Sequence, residues 1–211
     1  MKISIGIATI IALVTASLQL TAQTKKTVAG KKAEATNKLY LDVHKMEPGK
    51  VKFEDVAKAH IKDLAAEKKY GANFIKYWVS EEEGMVFCLV SAPDTDAIIK
   101  THAEAHGLMP ERIYEVTGGA ESALLRKKNM FMDIHQMGAG KVTKEAVADA
   151  HKKDLAVQAK YGANFADYWV DEKDGIVMCL VQAEDSAALV RTHSEAHGLI
   201  PSQVVKVKQG N

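Results

Sequence analysis

The sequence has only two cysteines, Cys88 and Cys179, among its 211 residues. So few cysteines exclude the disulfide framework on which many small secreted domains depend. A net charge of +1 gives no reason to expect binding to nucleic acid or to an anionic membrane surface. The chain also has no glycine-rich phosphate loop and no Ser-His-Asp or Cys-His ordering typical of nucleophilic catalysis. What remains is an ordinary globular composition, 47% apolar and 26% charged.

An internal repeat organises the chain. The run THAEAHGLMP at Thr101 to Pro110 returns as THSEAHGLIP at Thr192 to Pro201. All eight histidines form four pairs at one offset of 91 residues, and the two tryptophans and two cysteines match at that offset as well. Such self-similarity indicates one domain type used twice. Each copy has roughly 80 residues, near the lower limit for a self-sufficient core, so we expect the copies to pack on each other.

The N-terminus has the pattern of a targeting segment. Met1 and Lys2 form a short positive region, Ile3 to Leu20 is mostly apolar, and Ala22 offers a small residue for cleavage. We predict a secretory signal peptide over residues 1–22, with the mature protein periplasmic or secreted and without stable membrane insertion. The alternative is an uncleaved anchor, although the apolar run is borderline in length for a bilayer span.

Two further segments have the composition of connectors. Residues 23–38 are rich in Lys, Ala and Thr and show no apolar period, which predicts a flexible tether. Residues 118–129 start with two glycines and end with a basic cluster, which predicts a linker. The repeats themselves are then residues 39–117 and 130–208.

Each repeat predicts the element order βαββαβ from its hydrophobic periods and its turn residues. Apolar and small residues at helical spacing, with glycine at the end, define the helices. The predicted strands are residues 39–46, 73–79, 85–92 and 113–116, then 131–137, 164–170, 176–183 and 204–207. The predicted helices are residues 53–70, a helix from an Asp94 cap to His106, then 144–161 and 185–197.

This order predicts an α+β protein with two tandem ferredoxin-like (βαββαβ) units. In such a unit both helices cover one face of an antiparallel sheet and the other face is bare. Two tandem copies can cover these bare faces with each other, so we expect a fused pseudo-dimer. Further pairing through edge strands into a larger homo-oligomer is left open.

Polar residues on the first strand of each repeat are the first candidates for a site. Asp42 and His44 are two residues apart and therefore share one face of a central strand, where a carboxylate is costly unless it is paired or bound. Asp133 and His135 repeat the pattern. The alternative is a self-satisfied Asp–His pair, or a histidine just beyond the strand end.

The helices carry the remaining histidines. His60 and Asp63 lie near one face of the first helix, and His102 and His106 are four residues apart on the second, so their rings can meet one ion. The structural alternatives are a His60–Asp63 hydrogen bond, a core His102, and a His106 that favours the helix dipole.

Imidazole with carboxylate suits nickel, zinc or copper better than calcium or magnesium. Whether strand and helix histidines converge on one ion is open. The second repeat offers His151, Asp154, His193 and His197 at the same positions.

The cysteines and aromatic pairs are interpreted as structural. Cys88 and Cys179 sit in the middle of apolar strands, which favours buried small hydrophobes over metal ligands or a disulfide between the copies. The Tyr-Trp pairs at 77–78 and 168–169 are expected in the core and at the interface between repeats, with ligand stacking as the alternative.

Taken together, the motifs DVH, AHxxDL, YWV, FCLV and EAHGL resemble a family of small nickel-binding bacterial proteins with a ferredoxin-like fold. The resemblance covers Leu39 to Val116 and again Phe131 to Val207. It implies a covalently fused dimer that binds Ni²⁺, with the four histidines of each repeat as ligand candidates. The tandem fusion and the export signal depart from the family pattern, so the family's intracellular role need not apply here.

Three hypotheses follow. The first is an exported, non-enzymatic protein that binds nickel, or zinc or copper instead, for sequestration or homeostasis. The second is a small-molecule-binding protein or enzyme of the dimeric α/β-barrel type, with a cavity between the sheets and the first-strand Asp–His pair as base and orienter. The third is a structural module whose histidines are satisfied internally. The candidate metal ligands of the first hypothesis are His44, His60, His102, His106, His135, His151, His193, His197, Asp42, Asp133, Asp63 and Asp154.

Overall fold

The computed structural model describes residues 36–119, 122–126 and 128–211. The predicted signal peptide and nearly all of the predicted tether therefore lie outside the described residues. Within the described ranges, no helix is long and apolar enough to cross a membrane.

The predicted element order is confirmed in both repeats. The elements of the first repeat are β1 Lys38–Lys45, α1 Phe53–Tyr70, β2 Asn73–Ser80, β3 Met85–Ala92, α2 Thr95–Ala105 and β4 Arg112–Gly118. Those of the second repeat are β5 Asn129–Gln136, α3 Lys144–Val157, β6 Asn164–Asp171, β7 Ile176–Ala183, α4 Ser186–Ala196 and β8 Gln203–Gly210. Strands β4 and β5 thus reach into the segment predicted as linker, and β8 continues past residue 208.

The first helix of the second repeat differs from its prediction. A single helix was expected over residues 144–161, but the α-helix ends at Val157 and continues as a 3-10 turn, Gln158–Tyr161. Val157 occupies the position of Ala66 in the uninterrupted α1. Valine has a lower helix propensity than alanine because its side chain is β-branched, which is consistent with the end of the α-helix at this residue.

The eight strands form a closed barrel in the order β1-β3-β2-β8-β5-β7-β6-β4. Each repeat contributes four strands, and the repeats join where the ends of β4 and β8 pair with strands of the other repeat. Thr117 lies opposite Val170 at one junction, and Tyr77 lies opposite Gly210 at the other. The predicted pseudo-dimer is therefore present as one continuous sheet.

The last strand of each repeat is longer than predicted because its end pairs with a strand of the other repeat. The apolar pattern ends at residues 116 and 207, whereas β4 and β8 continue to Gly118 and Gly210. The added residues pair through their backbones with the other repeat, which a hydrophobic pattern does not report. At Gly210 the approach is so close that an added Cβ would lie 2.1 Å from the ring of Tyr77.

The barrel interior is filled by apolar side chains from both repeats. Leu41 and Val43 of β1 belong to this core, together with Trp78 and Trp169, whose ring centroids are 5.1 Å apart. Two further cores lie between the outer face of the sheet and the helices. The barrel is therefore closed around packed side chains, and each repeat has a second apolar layer beneath its helices.

Candidate metal centre

Asp42 and His44 face the helices. They alternate along β1 with Leu41 and Val43, which point into the barrel core, so their own side chains point to the opposite face. Both are buried, Asp42 completely. The second hypothesis required this pair to line a cavity between the sheets, and that part of it is wrong because the strand alternation turns the pair away from the barrel.

The second helix brings His102 and His106 onto the same face. Asp94 caps α2 by accepting a hydrogen bond from the Ala97 backbone N–H at 2.9 Å, which fixes where the helix starts. His102 is 1% exposed, and His106 follows one turn later at the helix end. The pair therefore points from α2 towards the sheet and α1.

Residues from the strand and both helices converge. His102 Nε2 lies 3.1 Å from Asp42 Oδ2, and its Nδ1 lies 3.0 Å from Asp63 Oδ1. His106 Nε2 lies 3.2 Å from Asp63 Oδ2 and 3.1 Å from His102 Nδ1. These four side chains form one hydrogen-bonded network, which joins the strand carboxylate of Asp42 to both histidines of α2.

The second repeat reproduces this network with nearly the same distances. His193 lies 3.1 Å from Asp133 and 3.0 Å from Asp154, and His197 lies 3.2 Å from Asp154. The two copies differ in sequence elsewhere, so the arrangement follows from the shared residues and the shared fold.

The charge of this network depends on the protonation of His102, and burial and hydrogen bonding shift the pKa of that histidine in opposite directions. Burial alone would lower the pKa of His102, but its hydrogen bonds to Asp42 and Asp63 outweigh burial and raise that pKa to about 9. Burial would raise the pKa of Asp42, yet the hydrogen bond to His102 and the nearby His44 imidazole lower it to about 2. Burial would also raise the pKa of Asp63, but its hydrogen bonds to His102 and His106 lower it. At neutral pH the centre is therefore an imidazolium between two carboxylates.

His106 presents one nitrogen to this network. Its Nδ1 accepts a hydrogen bond from the Leu108 backbone N–H at 3.1 Å, so its neutral form carries the proton on Nε2 and directs it to Asp63. The protons on His102 Nδ1 and His106 Nε2 then both point at one carboxylate across a 3.1 Å separation. A cation in place of these protons would contact all three ligand groups, so the residues present fit a metal ion.

His60 stands apart from the network. Its ring packs 4.8 Å from the ring of Tyr77, and its Nδ1 has no hydrogen-bond partner among the described residues. Burial lowers its pKa, so it is neutral at pH 7. The expected alternative of a His60–Asp63 hydrogen bond is not seen, because Asp63 bonds His102 and His106 instead. In the second repeat both ring nitrogens of His151 lack a partner within the described chain.

All four histidines of a repeat line one cavity between the sheet and the helices. Its volume is about 180 Å³ in the first repeat and about 130 Å³ in the second. Asp63 also lines the first cavity, and Tyr77 and Val86 contribute apolar wall. His60 therefore borders the same space as the Asp63–His102–His106 cluster without contacting it through a hydrogen bond.

Cys88 and Cys179, for which the sequence favoured a structural role over a ligand role, line the two cavities. Both are buried and free, as expected of core residues. However, the thiol of Cys88 lies in a group with Asp42 and His44 whose ligand atoms are within 4.8 Å of one another. Burial, followed by the charge of Asp42, raises the pKa of this thiol well above its usual value. The strand register, which pairs Asp42 with Cys88, was the missing signal.

Comparison with known families identifies the class. The family model described as "Nickel responsive protein SCO4226-like" matches residues 40–116 and 131–207. The two matches cover most of the chain, and the chain belongs to this family, with the family unit present twice. The resemblance stated from the motifs is thereby confirmed.

SCO4226 from Streptomyces coelicolor A3(2) is 31% identical over 36% of this chain and 90% of its own, with a TM-score of 0.34. A putative monooxygenase from Lactobacillus acidophilus NCFM is 9% identical over 82% and 94%, with a TM-score of 0.44. A mutant chlorite dismutase from Candidatus Nitrospira defluvii is 7% identical over 84% and 92%, with a TM-score of 0.49. No curated protein matches the chain.

Proposed function

We propose that the protein binds a divalent transition-metal ion, nickel first among them, and sequesters it. The observation that carries this proposal is the cluster of Asp63, His102 and His106, whose ligand atoms lie within 4.8 Å of one another. The equivalent residues of the second repeat form the same cluster. Imidazole and carboxylate together suit nickel, zinc or copper, and the nickel-responsive description of the family favours nickel.

Charge balance supports a dication as the ligand. With His102 protonated, one imidazolium faces the carboxylates of Asp42 and Asp63, which leaves one negative charge in a buried network. A divalent cation that replaces the His102 proton brings two positive charges against the two carboxylates. Because uncompensated charge is costly away from water, the network favours such an ion over a neutral or anionic ligand.

The size of the cavities supports ion binding over conversion of an organic substrate. Small-molecule sites commonly have volumes of about 300–1,000 Å³. The two histidine-lined cavities measure about 180 and 130 Å³, and the barrel interior is packed. A larger pocket of about 880 Å³ beside Thr117 and Val170 contains none of the candidate metal ligands. An ion with a few waters fits each histidine-lined cavity, which favours metal binding there.

The test is calorimetric titration of Ni²⁺, then Zn²⁺, into chelator-stripped protein. We expect saturable binding, and the combination of His102→Ala with His193→Ala should remove the part of it that occurs at the two helix clusters. The matched control is Glu104→Gln, because Glu104 lies on the same helix but bonds Lys69 and Tyr70 at the surface. Heats equal to buffer dilution in the unaltered protein, or unchanged binding in the double variant, would contradict the proposal.

We propose further that the protein acts outside the cytoplasm, in the periplasm or beyond. The support is the sequence pattern of residues 1–22, with its positive start, apolar run and small residue. The test is cell fractionation with sequencing of the mature N-terminus. Protein that keeps Met1 and remains in the cytoplasmic fraction would refute export without affecting metal binding.

A further inference from the structure

The register of two strands places a thiol against a buried carboxylate. Asp42 on β1 lies directly opposite Cys88 on β3, and His44 follows Asp42 by two residues on the same face. All three are buried, and their ligand atoms lie within 4.8 Å of one another. The second repeat has the equivalent group of Asp133, His135 and Cys179, which His193 joins there.

One oxygen of this carboxylate is left without a donor. Asp42 Oδ2 is bonded to His102, but Oδ1 has no hydrogen-bond partner among the described residues, although the side chain is completely buried. His44 Nε2 lies 3.2 Å from Oδ1, within ion-pair distance, but makes no hydrogen bond to it. In the second repeat Asp133 Oδ1 is also unpartnered, with His135 Nε2 at 3.3 Å. Ligand atoms that converge without bonding one another indicate space for a cation.

In the first repeat this group shares no residue with the cluster formed by the helices, whereas in the second repeat His193 belongs to both. His102 lies between the two, with Nδ1 directed to Asp63 and Nε2 directed to Asp42. Both groups border the same cavity, which His44 and Cys88 also line. A cation entering the cavity can therefore reach either group, and the inner group does not use His106.

We propose that each repeat has an inner cation site formed by Asp42, His44 and Cys88, or their second-repeat equivalents, with the cysteine bound as thiolate. This inference rests on the proposed metal-binding function. On binding, the S–H bond of Cys88 breaks, the sulfur takes a coordination position, and the proton leaves through the cavity to solvent. No oxidation is involved. Thiolate beside imidazole and carboxylate selects soft or borderline cations and disfavours calcium and magnesium.

The probe is Co²⁺ added to the chelator-stripped full chain under reducing conditions. We expect an intense near-ultraviolet band from thiolate-to-cobalt charge transfer, together with weaker visible d–d bands from all bound cobalt. The double variant Cys88→Ser with Cys179→Ser should lose the near-ultraviolet band and keep the visible bands. The double variant His106→Ala with His197→Ala should keep the near-ultraviolet band, because neither histidine belongs to the inner site.

The outcomes separate this inference from the proposed function. Visible bands without charge transfer in the unaltered protein would overturn the inner site and leave metal binding intact. No cobalt bands, together with no Ni²⁺ binding by calorimetry, would overturn both. Charge transfer that persists in the serine variant would also overturn the assignment to cysteine. If the serine variant fails to fold, the pair Cys88→Ala and Cys179→Ala replaces it, and the spectrum of the unaltered protein remains decisive.

Discussion

The two repeats build the same centre although their sequences differ elsewhere. Their cavity linings match position by position at the 91-residue offset with one exception, Asp55 in the first repeat and Ala146 in the second. The network distances in the two repeats agree closely, for example 3.0 Å for His102–Asp63 and 3.0 Å for its equivalent. The centre is therefore insensitive to sequence changes elsewhere in the repeats.

The helices behind the two centres show how far this insensitivity extends. Helix α1 is regular to Tyr70, whereas the second repeat changes to a 3-10 turn after Val157. Glu67 in the first repeat accepts a hydrogen bond from the Phe74 backbone N–H at 2.6 Å, and Gln158 accepts the equivalent bond at 2.7 Å. A charged and a neutral side chain thus fill one structural role, and the ligands upstream of them keep their places.

The largest expected effect comes from removing one central histidine at a time. His102→Ala should abolish the helix-cluster metal site of its own repeat and leave the site centred on His193. It should also destabilise the apo protein by about 3–5 kcal/mol, because two buried carboxylates lose their shared cation. Denaturant unfolding and Ni²⁺ titration measure the two effects. Loss of metal from both repeats in the single variant would show that the sites are coupled rather than independent.

The second largest expected effect is the pH dependence of the stability of the metal-free protein. The pKa of His102 is raised from 6.5 to about 9, so its contribution is fully present below pH 6.5 and is lost as the pH rises through about 9. The pKa of Asp42 is lowered from 3.8 to about 2, so its contribution is present above pH 3.8 and is lost as the pH falls through about 2. His193 behaves as His102 does.

Thermal unfolding of the apo protein across pH 5–10 measures this dependence. Stability should fall between about pH 6.5 and 9, while metal affinity rises over the same range because the proton competes less. The single variant His193→Ala should show a smaller alkaline loss, since one repeat no longer contributes. An apo stability that does not change over this range would contradict the imidazolium assignment.

The junctions between the repeats offer a third comparison. Gly210→Ala should destabilise the protein by about 1–3 kcal/mol, because the new Cβ would lie 2.1 Å from the ring of Tyr77. Gly119 makes the equivalent approach to Tyr168 at the other junction. The neighbouring Gly118→Ala is the matched control, since its Cβ would meet Leu39 at an ordinary 3.5 Å. Equal stability of the Gly210 and Gly118 variants in denaturant unfolding would argue against the close approach.

The smallest expected effect concerns the single difference in the cavity linings. Asp55 is exposed and forms an ion pair with Lys58 at 3.1 Å. Its attraction for an entering cation is therefore weakened by solvent screening and by the positive charge of Lys58. Asp55→Ala should weaken the first site by about twofold to fivefold, and Ala146→Asp should strengthen the second by a similar factor. Both effects should shrink at high salt. Site-resolved titration in the His193→Ala or His102→Ala background measures each one, and a change of opposite sign would contradict the charge argument.

Much of the fold followed from local pattern. The offset of the histidines predicted the duplication, and the hydrophobic periods and turn residues predicted the order βαββαβ in each copy. Helix α1 begins and ends at the residues predicted from its apolar period and from Gly71. The candidate residues Asp42, Asp63, His102 and His106 were also identified from spacing, and the structure brings them together. These features depend on residues within a few positions of one another, where helix and strand periods are informative.

The sequence by itself therefore determined the duplication, the element order and the residue types of the centre. Only the tertiary structure decided which face Asp42 presents, that Cys88 lies against it, that Asp63 bonds His102 rather than His60, and that β4 and β8 cross into the other repeat. The physical reason is that these features arise from strand register and helix packing between residues far apart in sequence. Hydrophobic periods specify which face of an element is buried, but not which partner lies across from each residue.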